Sequence, residues 1–198
     1  MEIERRFFAI EGLTVETRDG SPPVVRGHAA VFGQLSEDLG GFREQIAPGA
    51  FASAVDGSDD VRALFNHDPN YILGRNRAKT LRLKEDARGL AIEIDAPQTD
   101  TIRDLVLEPI RRGDVSQMSF GFSVRPNGQD WAKDDEGRVI RTLKSLRTFD
   151  VSPVVFPAYP QTDVGLRELR AWTQGLADAE AGRVPMNLIR ARQQQARL

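Results

Sequence analysis

Along the first two thirds of the chain, apolar residues either alternate with polar ones or gather in short β-branched and aromatic runs. Residues 6–10 (Arg-Phe-Phe-Ala-Ile) and 23–33 (Pro-Val-Val-Arg-Gly-His-Ala-Ala-Val-Phe-Gly) are two such runs, separated by the turn dipeptide Asp19-Gly20. Their composition predicts strands. Residues 79–84 and 89–95 are apolar at every second position, the period at which strand side chains change face. Between them lies Glu85-Asp86-Ala87-Arg88, so the pair predicts an antiparallel hairpin with one buried and one wet face. Further runs over 115–124, 138–146 and 149–156 predict three more strands.

Two short helical patterns interrupt the strands. Residues 48–55 carry Pro48 near their start, where helices tolerate it. Residues 99–112 open at Thr99 or Asp100, both good N-caps, and close on Arg111-Arg112-Gly113, a basic last turn followed by glycine. Pro109 lies inside this pattern and, lacking an N–H, should distort its last turns. From about Pro157 the character changes. Pro157 and Pro160 bracket an extended segment, and residues 164–198 are rich in Ala, Arg, Gln, Glu and Leu. They predict helix with a weak core face, interrupted by Gly182 and Pro185. The final stretch, 190–198, has too few apolar residues to bury anything by itself. The chain thus divides into a domain over 1–163, α+β but mostly β, and a helical, polar tail over 164–198.

Composition narrows the class. The 198 residues include no cysteine. That excludes a disulfide framework, a thiolate zinc site and a cysteine nucleophile, and it suits a reducing cytoplasm. The 27 basic and 29 acidic side chains give a net charge of -2, without the clustered basic excess of a nucleic-acid footprint. The first residues lack the layout of a signal peptide, and no run approaches the ~20 apolar residues of a membrane span. The expectation is a soluble, intracellular, globular protein that binds neither nucleic acid nor membrane. HExxH, P-loop and dinucleotide glycine fingerprints are missing, so no metal or cofactor is expected. The acidic run from Asp130 to Glu136 has no metal-ligand spacing and reads as a solvated hairpin tip, while Glu93 and Asp95 read as a wet strand face.

The chemistry-bearing residues are few. Of the two histidines, His28 lies in an apolar strand, Gly27-His-Ala-Ala-Val-Phe32, and reads as structural. His67 ends the apolar run Val61–Phe65 and opens a loop, Asn66-His-Asp-Pro-Asn-Tyr-Ile-Leu-Gly74. A strand-to-loop junction presents side chains to clefts, although position alone leaves a plain structural role open. Ser116, Ser119 and Ser123 lie in Asp114-Val-Ser-Gln-Met-Ser-Phe-Gly-Phe-Ser-Val124, where alternation puts Ser119 and Ser123 on one face and Ser116 on the other. Gly121, two residues after Ser119, permits the close approach that an oxyanion site needs. A serine–histidine pair is usually oriented by a carboxylate. Asp150, in the apolar stretch Thr148-Phe-Asp-Val-Ser-Pro153, is the strongest choice, with an exposed edge or a turn before Pro153 as its alternative reading. Asp68 is too near His67 in sequence to serve easily.

Six segments in order carry a resemblance: Gly27-His-Ala-Ala-Val-Phe32, Glu44-Gln-Ile-Ala-Pro-Gly-Ala-Phe51, Ala63-Leu-Phe-Asn-His-Asp68, Leu81-Arg-Leu-Lys-Glu-Asp-Ala-Arg-Gly-Leu90, Arg111-Arg-Gly-Asp-Val-Ser-Gln-Met-Ser-Phe-Gly-Phe122 and Asp150-Val-Ser-Pro-Val-Val-Phe-Pro-Ala-Tyr-Pro160. Over about residues 5–165 the chain resembles the capsid-maturation (prohead) serine proteases of HK97-type tailed phages. The resemblance implies His67 as base, Ser119 as nucleophile and Asp150 as third member, an acid that is Glu in many relatives. It implies a fold similar to the herpesvirus assemblins, a β-barrel with surrounding helices. It further implies work in the host cytoplasm inside the immature prohead, on the major capsid protein and its scaffold segment, with self-cleavage and a homo-oligomer. Two rivals remain. One is a non-enzymatic scaffold or internal prohead protein with a protease-like fold. The other is an esterase using the same pair.

Overall fold

The computed structural model describes residues 3–9, 12–17, 22–156 and 163–182. They fall into two units, Met1–Thr162 and Asp163–Leu198. In the first unit the strands are β1 (Glu4–Ala9), β2 (Thr14–Glu16), β3 (Val24–Val31), β4 (Arg43–Ile46), β5 (Arg62–Phe65), β6 (Asp68–Arg75), β7 (Leu81–Glu85), β8 (Gly89–Asp95), β9 (Gln117–Val124), β10 (Gln129–Lys133), β11 (Val139–Leu143) and β12 (Leu146–Val154). They pair as three sheets, β1-β9-β12-β5-β6, β2-β3-β8-β7 and β10-β11-β4.

The protein is mostly β, as the alternation predicts. The β7–β8 hairpin forms with the expected faces: Leu81, Leu90, Ile92 and Ile94 are buried, while Arg82 bonds Glu93 and Asp95 on the wet side. The barrel implied by the resemblance is not found closed: among the described residues each sheet keeps two edge strands. The edge strand β6 meets the neighbouring sheet at Gly74, where a Cβ would lie 3.1 Å from Ile94 Cγ2. It packs on β8 rather than extending its ladder. Three aromatic rings mark the core face of β9. Phe120 and Phe122 stack at 5.0 Å, and Phe51 meets Phe120 edge-on at 5.3 Å.

The helical segments are shorter and less regular than their patterns. The 48–55 helix contracts to α1 (Ala52–Val55), whose approach is fastened by Glu85 accepting from Gly49 N and Phe51 N at 2.8 Å. The 99–112 helix divides into α2 (Asp100–Ile102), a π-helical segment (Arg103–Leu107) and α3 (Glu108–Arg112). Thr99 caps it through Ile102 N, and Gly113 ends it at φ 81°. The distortion falls a turn before Pro109 because its ring and missing N–H act on the carbonyl four residues earlier. The second unit contains α4 (Asp163–Gly182), the helix expected there. The Asp19-Gly20 turn, Pro157, Pro160, Pro185 and the final residues lie outside the described residues.

Several strands carry no alternation to announce them. β6 occupies most of what reads as the loop after His67: Asp68, Pro69 and Asn70 look like turn residues, yet they form a strand. The reason is its place at a sheet edge, where proline and a half-wet pattern are tolerated. The acidic tip does join a hairpin, β10–β11.

A buried ring of charge ties β1 to the three-stranded sheet. Arg6 bonds Glu44 at 2.7 Å and Glu4 at 2.8 Å, and Arg141 bonds the same two carboxylates at 2.8–2.9 Å. Exposure of these four residues is 5 % or less, with Arg141 fully buried. Two cations against two anions leave no net buried charge, which burial demands. Burial alone would raise the Glu4 carboxyl, but the hydrogen bonds and charges of Arg141 and Arg6 outweigh it and hold the group below its ordinary value. A depressed carboxyl stabilises the fold above its unfolded value, and that contribution is lost as pH falls through the folded one. Arg141→Met should therefore cost about 3–5 kcal/mol, the range for a buried charge left without its partner. Urea titrations should show the wild type losing stability in acid and the variant losing less.

Candidate active site

The site begins with a register shift. β9 and β12 run antiparallel with Phe122 opposite Thr148, Gly121 opposite Asp150 and Ser119 opposite Ser152. Phe149 is the extra residue of a bulge between Thr148 and Asp150. Strict alternation would put Asp150 on the face of Thr148, toward Phe122. A bulge re-aims the residues beyond it, and Asp150 turns to the face of Ser119. The bulge is held from below by Asp59, a 4 %-exposed carboxylate that accepts from Thr148 N at 3.0 Å and from Arg125 at 2.7 Å.

The imidazole arrives from the other side. β5 runs parallel to β12, with Arg62 opposite Asp150, and turns into β6 through only Asn66 and His67. Their φ values are +53° and +58°, the sign that a tight two-residue hairpin turn requires at both central positions. A side chain at positive φ is strained by about 1–3 kcal/mol and persists only where its surroundings hold it. Asn66 supplies that hold: its N–H donates to Pro153 O at 3.0 Å, and its side-chain oxygen accepts from Val155 N at 2.9 Å. The turn is thereby fastened to the strand that carries Asp150.

The structure brings His67, Ser119 and Asp150 into one chain of hydrogen bonds. His67 Nδ1 lies 2.5 Å from Asp150 Oδ1, and His67 Nε2 lies 2.6 Å from Ser119 Oγ. A carboxylate only accepts, so Nδ1 carries the proton and Nε2 is left to accept from the hydroxyl. Ser152, fully buried, donates to the same Asp150 oxygen at 2.8 Å. Ser119 is also fully buried, and Asp150 is 7 % exposed, in a central strand rather than at an edge or turn. Gly121 serves a different purpose from the expected one: its missing Cβ leaves room for Asp150 Oδ2. Chemically, these distances meet what a nucleophile, a base and an orienting acid require of one another.

The other candidates are occupied elsewhere. His28 bonds Asp86 at 2.9 Å across the β7–β8 turn. Burial would raise the Asp86 carboxyl, but His28 and the amides of Gly89 and Arg88 hold it down. Asp68 accepts from Asn70. Ser116 is exposed and precedes β9. Arg111 donates to Thr17, and Arg112 pairs with Asp114. Asp59 and Asn66 are not singled out by their sequence context, whereas Ser152 has a legible signal, lying two residues from Asp150 on the same strand face.

The sequence matches the caudovirus prohead serine proteases over residues 11–174. The chain belongs to that family. No curated protein and no solved structure matches it. Membership points to a serine protease of phage capsid maturation. Among the described residues no His, Cys, Asp and Glu group could hold a metal ion, and no helix is long and apolar enough to cross a membrane.

The local geometry makes a direct prediction. Gly121→Ala should displace the Asp150 carboxylate, and Asp59→Ala should loosen the bulge that aims it. In proton NMR, the low-field imidazole N–H signal of His67 should vanish in the first variant and weaken in the second. Asp59→Ala should also cost about 1–3 kcal/mol, because it leaves the Thr148 N–H buried without an acceptor.

Proposed function

We propose that the protein is a serine endopeptidase that removes scaffold segments from the major capsid protein inside the immature prohead, and that it also cleaves itself. The observation that carries this reading is the Ser119–His67–Asp150 hydrogen-bond chain within a member of a prohead protease family. In this mechanism His67 Nε2 takes the Ser119 proton as Oγ attacks a peptide carbonyl. The same nitrogen then returns it to the leaving amine. Asp150 keeps the proton on Nδ1 and stabilises the imidazolium, while Ser152 steadies the carboxylate from behind. Residues 1–163 form the enzymatic domain in this reading, and the tail over 164–198 docks or is removed by self-processing. The barrel-like relationship to assemblins remains part of the same proposal.

A scaffold protein without activity would need none of these contacts. An esterase reading has no support beyond the shared pair.

Ser119 has no exposed surface, so peptide attack requires that face to open. Self-association is the expected trigger. The rate at which a simple fluorophosphonate labels Ser119, counted per protomer, should rise with protein concentration. A rate independent of concentration would exclude that trigger.

Co-expression with the major capsid protein tests the main proposal. Wild-type protein should shorten the capsid protein, and Ser119→Ala should lower the rate by on the order of 10⁶-fold, leaving it whole by mass spectrometry. Intact capsid protein in both cultures, with shells assembled, would turn the reading to a scaffold. Cleavage in both would move the nucleophile to another serine, Ser116 first.

A further inference from the structure

Beside the His67 turn lies a cavity of about 280 Å³, lined by Phe65, Asn66, Asp68, Tyr71, Leu105 and Val155. We infer that this cavity is a specificity subsite that receives one bulky apolar side chain of the substrate peptide, an inference that rests on the proteolytic reading above.

The walls are built from the elements that assemble the site. Phe65 ends β5, Asn66 precedes His67 in the turn, and Val155 comes directly after β12. The contact between Asn66 and Val155 N closes one side. Phe65 and Tyr71 stand edge-to-face at 6.5 Å, a rigid apolar wall. Leu105 comes from the π-helical segment, a kind of turn that recurs at functional sites, and it is 50 % exposed. Val155 is 41 % exposed. Large apolar side chains left half wet around an unfilled space mark a surface shaped for another group.

Two oxygens of the polar lining are engaged. Asn66 Oδ1 is taken by Val155 N, and Asp68 Oδ1 accepts from Asn70. The cavity is faced chiefly by hydrocarbon and ring. At about 280 Å³ the cavity lies at the small end of the range for ligand pockets, about 300–1,000 Å³, with room for one bulky side chain. Its reach is also right. Val155 lies three residues beyond Ser152, the register partner of Ser119. At about 3.3 Å per residue, an extended peptide crossing Ser119 would reach the cavity with a side chain within about three positions of the scissile bond.

The test uses the full chain and two sets of probes. A simple fluorophosphonate reads the Ser119 relay alone. Peptidyl fluorophosphonates carrying Ala, Leu, Phe or Lys at each of the last positions before the phosphorus read the subsite, through the rate of Ser119 labelling by mass spectrometry. At one position Leu or Phe should outpace Ala by roughly tenfold or more, the scale of apolar discrimination by a fitted pocket. Leu105→Asp, a change at a half-exposed residue, should erase that preference at that position alone, and Leu105→Met should restore it. Normal labelling by the simple probe with no apolar preference, or with one that Leu105→Asp leaves intact, overturns the subsite while the protease reading stands. A preference for Lys that Asp68→Asn abolishes overturns it too. Failure of the simple probe to label Ser119 at every protein concentration, including inside assembled shells, removes the reading on which the subsite rests.

Discussion

A single carboxylate lying over a backbone without a side chain governs the site. Asp150 can face His67 only because β12 bulges at Phe149 and because Gly121 offers no Cβ to obstruct its second oxygen. Remove the bulge, and the acid turns toward the aromatic core, where an unpaired charge is prohibitively costly. Fill Gly121, and the acid is pushed from its place. The remaining contacts serve this placement: Asp59 secures the bulged backbone, Ser152 donates to the Asp150 oxygen that faces His67 Nδ1, and Asn66 ties the His67 turn to the end of β12. The contacts of Asp59 with Thr148 N and of Ser152 with Asp150 are buried, where a hydrogen bond is strong when made and costly when missing.

The same sheet is steadied at its far edge by a buried network of charge. The Glu4–Arg6–Glu44–Arg141 ring joins the edge strand β1, which flanks the Ser119 strand, to β4 and β11. Such rings seldom add much net stability compared with an apolar core of equal volume. Their geometry is demanding, though, so they define how one element sits on another. Here that role falls on the strand next to β9, whose alignment sets the height of Ser119.

How much of this was legible in the sequence differs from element to element. Hairpin β7–β8 was plain because its period of two is undisturbed and its two faces meet different surroundings. The serine, the histidine and the acid were legible as candidates, since a chain with two histidines and no cysteine leaves few alternatives. Their convergence was not, because register, bulge and turn geometry decide it, and no local pattern encodes a bulge at Phe149. Asn66-His67 looked like the mouth of a long loop, since Asp68-Pro69-Asn70 reads as turn chemistry. Only the edge position of β6 makes those residues acceptable in a strand. Gly121 reads as an open position in the sequence, but the group that needs the space lies 29 residues further on, on β12. Asp59 gave no signal at all: in Gly57-Ser-Asp-Asp60 it looks like an ordinary surface aspartate.

The strand order also bears on when the site can exist during synthesis. β1 is made first yet pairs with β9, and β5 waits for β12, its parallel neighbour. Such distant pairings close late, after long intervening loops have been ordered. A ribosome-bound chain that has exposed His67 and Ser119 but not yet Leu146–Val154 has neither the acid nor the strand on which the His67 turn is fastened. The His67 turn and the Ser119 strand thus both leave the ribosome before the strand that aligns them, and the geometry of the site forms only once β12 has followed.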